Sequence, residues 1–115
     1  MSINLELISP GMILWEEFMD PMNISQNQLS RDIDVTPGQV NDIIHGKRSI
    51  KADVALRLSK YFGNTPEFWL NLQLEYDLRK SKREEWPLIE SRIRTYSPNS
   101  LKRRGKRGLK PHKVA

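Results

Sequence analysis

Cysteine is absent from the 115 residues, which excludes disulfides, thiolate metal sites and a thiol nucleophile and fits a reducing compartment. Histidine occurs twice, as His45 and His112. With no Gly-rich phosphate loop, metal-ligand cluster or nucleophile elbow beside them, neither catalysis nor a metal or other cofactor is expected. The acids Glu16, Glu17 and Asp20 share a helical neighbourhood, and a solvated helix face accounts for them. No apolar run approaches the roughly 18 residues of a membrane span. Met1-Ser2-Ile3-Asn4-Leu5-Glu6 has no basic stretch leading into an apolar one, so no secretory signal is expected and a cytoplasmic location is. Sustained period-two alternation is missing as well, so the predicted fold class is all-α.

Charge is present but unevenly placed. Residues 1–80 hold 8 Lys/Arg against 11 Asp/Glu, and residues 81–115 hold 11 against 3. The net +5 therefore comes from the tail and does not by itself mark a nucleic-acid binder. The chain divides into an N-terminal arm (1–9), a globular domain (10–80) and a basic C-terminal extension (81–115).

Within 10–80, five short helices follow one another. Pro10 suits a first turn after Ser9, and Leu14 and Phe18, with Trp15, Met19 and Met22 beside them, form an apolar face ending near Asp20-Pro21. Ser25-Gln26-Asn27-Gln28 has the form of a capping box that opens a second helix. Thr36-Pro37-Gly38-Gln39 repeats the device for a third, which Gly46 stops. A fourth helix spans about 52–62 and ends at Gly63; Thr65 and Pro66 start a fifth. That last helix carries two apolar stripes, Trp69, Leu72 and Tyr76 on one side and Leu70, Leu74 and Leu78 on the other. Both need covering: one by the domain, the other by a second copy or by the tail folding back. Trp86-Pro87 should break the helix. Ile89, Ile93 and Tyr96 then permit a short turn or two, before a terminal stretch too poor in apolar residues to fold alone.

The second and third helices are joined only by Asp34-Val35-Thr36, the spacing of a helix-turn-helix whose second helix enters the major groove. Leu29, Ile33, Val35, Val40 and Ile43 are apolar where the joint must be buried, while Gln26, Asn27, Gln39, Asn41 and Asp42 are left outside. Asp34 stands at the tight turn where glycine is usual, and aspartate accepts left-handed φ better than most residues. Ser30 stands where a small alanine usually lets the helices approach.

Ser25–Arg48 resembles the Xre/lambda-repressor-like DNA-binding domain. The larger block from Pro10-Gly11-Met12-Ile13-Leu14, through Ala55-Leu56-Arg57-Leu58-Ser59-Lys60-Tyr61-Phe62-Gly63, to Thr65-Pro66-Glu67-Phe68-Trp69-Leu70-Asn71-Leu72-Gln73 and Tyr76-Asp77-Leu78 resembles the HigA (VapI-like) antitoxin family. Lys51 departs from that family, which usually has Thr as the cap of the fourth helix, and the basic extension lies outside the resemblance. The resemblance implies a five-helix lambda-repressor-like fold that forms a homodimer through its last helix and binds double-stranded operator DNA. It also implies repression of the chain's own operon and neutralisation of a RelE-like HigB toxin that cleaves mRNA. A stand-alone Xre-type regulator without a toxin partner is the alternative, and a mainly RNA-binding role is a further one.

By position in the motif, Ser25, Gln26 and Asn27 lie at the phosphate-facing start of the second helix, where Gln26 bonds a phosphate beside the positive end of the dipole. Thr36, Pro37, Gly38 and Gln39 form the tip of the recognition helix. Gln39 and Asn41 can each pair with adenine N6 and N7, and Asp42 can accept from a cytosine amino group. His45, Lys47 and Arg48 follow at the backbone. Phe68, Trp69, Leu72, Gln73 and Tyr76 form the expected dimer interface. The basic run from Leu101 onward can track phosphates, hold an acidic partner or merely keep the chain soluble.

Overall fold

The computed structural model describes residues 8–98; the first seven residues of the predicted arm, the basic run from Leu101 and His112 lie outside them. Six helical segments follow in chain order: α1 (Pro10–Ile13) running into a π-helix at Leu14–Met19, α2 (Gln26–Ile33), α3 (Pro37–Ile44), α4 (Ala52–Phe62), α5 (Pro66–Glu84) and α6 (Trp86–Ile89), with a 3-10 turn at Glu90–Arg92. No strand occurs among the described residues.

The starts lie where the side chains can satisfy free amides. Ser9, Ser25, Thr36 and Thr65 accept from the amides of Met12, Gln28, Gln39 and Phe68 at 3.0 to 3.3 Å, and Pro10, Pro37 and Pro66 occupy first turns that need no proline N–H. Lys51 precedes α4 with no side-chain cap. Asp34 and Gly63 close α2 and α4 with φ of +62° and +79°.

Two features depart from the expected helices. After Ile13 the first helix widens, with Asp20 N–H donating to Trp15 O across five residues at 2.8 Å. Leu14 and Met19, five apart, are 1% and 0% exposed; an i→i+5 ladder brings them onto one inward face where an α-helix would splay them. Met22, expected on this face, is exposed. The second is α6, a turn beyond the five-helix core, in which Pro87 breaks α5 as expected but starts a new turn.

The core joins Leu14, Met19, Leu29, Ile33, Val40, Ile43, Ile50, Val54, Ala55, Leu58 and Trp69. Phe18, Phe62 and Phe68 pack on Trp69 with ring centroids 4.9 to 6.1 Å apart. Trp69 is fully enclosed and its indole N–H donates to Asn64 Oδ1 at 2.9 Å. Gly11 brings α1 against the end of α3, where a Cβ would overlap the Ile43 carbonyl.

Candidate nucleic-acid interface

The α2–α3 joint is made rigid from inside. Asp34 turns the chain, and Val35 N–H donates to Ser30 O at 3.0 Å. The buried Ser30 hydroxyl donates to Asn27 O at 2.9 Å, so it needs no further partner at the close approach. From α4, Arg57 Nη1 donates to Ile33 O at 2.7 Å and to Asp34 O at 2.9 Å, neutralising the carbonyls left free at the negative end of α2. Tyr61 adds a second α4–α2 bond, its hydroxyl donating to Asp32 Oδ2 at 2.6 Å. That bond, with desolvation and the carboxylate charge, raises the phenol pKa, while a hydrogen bond from Gln28 opposes the rise.

With Val40 and Ile43 buried, the other side of α3 faces out. Thr36, Pro37 and Gly38 are exposed at its tip, and nothing stands within 4 Å of a Cβ built on Gly38. Gln39, Asn41 and Asp42 follow, half-buried. The side chains of Gln39, Asp42, Lys47 and Arg48 make no hydrogen bond or ion pair within the described residues. Gln39, Lys47 and Arg48 line an open cleft of about 310 Å³ with Ser49, Lys51, Asp53 and Val54. Lys47 and Arg48 N–H groups donate to Asp42 O at 2.8 and 3.2 Å, folding the basic loop against the end of α3.

Several sequence-predicted residues also bond within the chain. Asn41 Nδ2 donates to Gln26 Oε1 at 3.0 Å, so the two residues form a pair across the joint. Ser25 and Thr36 cap helices with their hydroxyl oxygens. His45 Nδ1 lies 2.9 Å from Asn41 O and, as a donor, closes the end of α3. Asn27 is exposed.

Of the predicted dimer set, Trp69, Leu72 and Gln73 are engaged within one protomer. Trp69 is 0% exposed within one protomer, leaving no surface for a partner. Leu72 packs against the core. Both ends of the Gln73 amide are engaged at home: Oε1 accepts from Ile50 N–H at 2.8 Å and Nε2 donates to Asp77 Oδ1 at 3.0 Å. Phe68 and Tyr76 keep part of their surface. The uncovered stripe is Leu74 and Leu78, continued by Trp86 and Leu88.

The roles of Arg57 and Gly11 were not foreseen from the sequence, and Gln73 was expected at the dimer interface, not as a tether within the protomer. Arg57 interrupts the apolar run Ala55-Leu56-Arg57-Leu58, a signal that its guanidinium reaches for something specific. Nothing local marks Gln73, whose partner lies 23 residues away.

A capped helix, a left-handed joint and a second helix displayed with free amides and cations define a helix-turn-helix module. A helix-turn-helix family model, HTH_3, matches residues 16–70. "Virulence-associated protein I" of Dichelobacter nodosus is 42% identical over 78 residues, covering 68% of this chain and 72% of that protein. Among solved structures, an addiction module antidote protein of a HigA family from Coxiella burnetii is 44% identical with a TM-score of 0.73, covering 78% of this chain and 98% of the other. The Pseudomonas aeruginosa antitoxin HigA, solved with the higBA promoter, is 41% identical with a TM-score of 0.73, covering 76% and 96%. The chain belongs to the HigA family of helix-turn-helix antitoxins.

Proposed function

We propose that this chain is the antitoxin of a type II toxin–antitoxin module, binding operator DNA as a homodimer, repressing its own operon and neutralising a RelE-like HigB toxin. The observation that carries the reading is the outward side of α3, where the side chains of Gln39, Asp42, Lys47 and Arg48 have no partner among the described residues. A helix about 10–12 Å across fills a major groove about 12 Å wide. In that pose Gln39 and Asn41 face base edges, Gln26 and Asn27 meet a phosphate at the start of α2, and Lys47 and Arg48 grip the backbone beyond α3. That the Pseudomonas aeruginosa relative was solved with the higBA promoter supports DNA binding.

Two half-sites about 34 Å apart require two copies. The Leu74 and Leu78 stripe is the face on which a second copy docks, because both leucines are more than half exposed.

The test has two arms. In gel shifts, DNA from upstream of this gene is retarded by two chains per duplex; retardation no stronger than with scrambled DNA overturns the operator reading. In cells, the chain relieves growth arrest caused by a RelE-like protein encoded beside it. Persistence of the arrest with both proteins present overturns the antitoxin reading and leaves a DNA-binding regulator.

A further inference from the structure

The side chains that face the groove are not equally free, and the difference has a functional consequence. Gln39 extends from α3 with no side-chain partner among the described residues. Asn41 is held at three points. Its Nδ2 donates to Gln26 Oε1 at 3.0 Å, its carbonyl accepts the His45 amide at 3.0 Å, and the same carbonyl lies 2.9 Å from His45 Nδ1. The first bond spans 15 residues and both helices of the motif, so the side chain is fixed by tertiary structure and not by its own rotamer preference.

We infer that Gln26 is a positioning residue that presets the Asn41 amide, making Asn41 a strict base reader and leaving Gln39 a permissive one. This rests on the DNA-binding reading above. An amide has two N–H donors and one carbonyl acceptor. The bond to Gln26 uses one donor and fixes which edge of the Asn41 amide is turned away, leaving Oδ1 and the second N–H for the paired contact to adenine N6 and N7. A preset amide loses little rotamer freedom on binding and cannot rotate to accept a different donor–acceptor pattern. The unheld Gln39 amide can turn over or reach a neighbouring base. Discrimination is therefore sharp at the base pair under Asn41 and shallow at the one under Gln39.

Gln26 is also placed to meet a phosphate, and the two roles separate by variant. Gln26→Met removes the acceptor but keeps the length of the side chain and the Ser25 cap. Gln26→Glu keeps an acceptor for Asn41 while adding charge that repels phosphate. A preferred site is first selected from randomised duplexes, and every single-base variant of it is then titrated with wild type, Gln26→Met, Gln26→Glu, Asn41→Ala and Gln26→Met/Asn41→Ala.

In wild type, substituting the base pair under Asn41 weakens binding roughly tenfold or more, and substituting the one under Gln39 weakens it only a few-fold. Gln26→Met flattens the profile at the Asn41 base pair alone, and the double variant does no more than Asn41→Ala. Gln26→Glu weakens binding to every duplex by a similar factor and keeps the profile. A Gln26→Met variant that loses affinity uniformly with its profile intact reduces Gln26 to a phosphate ligand and overturns the inference, while the DNA-binding reading stands. Failure to select any preferred site overturns both.

A second measurement needs no DNA. The Asn41 side-chain amide in the free protein is rigid by 15N relaxation and becomes mobile in Gln26→Met; equal mobility in the two proteins contradicts the inference.

Discussion

Gly11 shows how much the placement of α3 depends on one missing methyl group. Its backbone lies against the last turn of α3, and a Cβ there would overlap the Ile43 carbonyl. Gly11→Ala must push α1 away from α3, because a backbone carbonyl cannot swing aside as a side chain does. The expected cost is about 3 kcal/mol or more, read as a lower midpoint in urea melts. Tyr61 makes a smaller contribution that depends on pH. Its phenol pKa is raised in the folded state by the bond to Asp32, so that stabilisation is complete below the unfolded value of 10.0 and is lost as pH rises through the folded one. Tyr61→Phe should cost about 1 kcal/mol at neutral pH. The gap between the two proteins should narrow as the pH is raised above 10.0, which paired melts at neutral and alkaline pH check.

Helix starts are the most legible feature of the sequence. Ser25, Thr36 and Thr65 cap their helices as their spacing predicts, and α4 has the expected bounds of Ala52 and Phe62. Caps are contacts between residues three apart, so sequence order alone carries them. The π-helix at Leu14–Met19, the Gln26–Asn41 pair, the Arg57 clamp and the Gln73 tether were not legible. The last three join residues 15 to 24 apart, and the π-helix follows from which side chains the finished core accepts. The two stripes of α5 were legible, but which faces inward was not: Trp69 is enclosed by aromatic partners on other helices. The Lys51 departure is visible in both views, since α4 starts without a side-chain cap. Lys51→Thr should therefore stabilise the protein by about 0.5–1 kcal/mol, seen as a rise in Tm without change in helix content.

At the scale of the whole molecule, the domain is closed on one side and open on the other. The core and the clamps from α4 and α5 hold α3 and the basic loop in place, while Leu74, Leu78, Trp86 and Leu88 remain uncovered. Leu74→Arg with Leu78→Arg should leave helix content unchanged and convert a two-chain species into one chain by sedimentation. Retention of the two-chain mass would place the interface elsewhere.

The most direct test of sequence-specific recognition by α3 is an anisotropy titration of wild type and Gln39→Ala/Asn41→Ala against the upstream duplex and a scrambled duplex at physiological salt. Wild type should prefer the upstream duplex by about a thousandfold or more, and the double variant should bind both with nearly equal, weak affinity. An undiminished preference in the double variant would contradict the account.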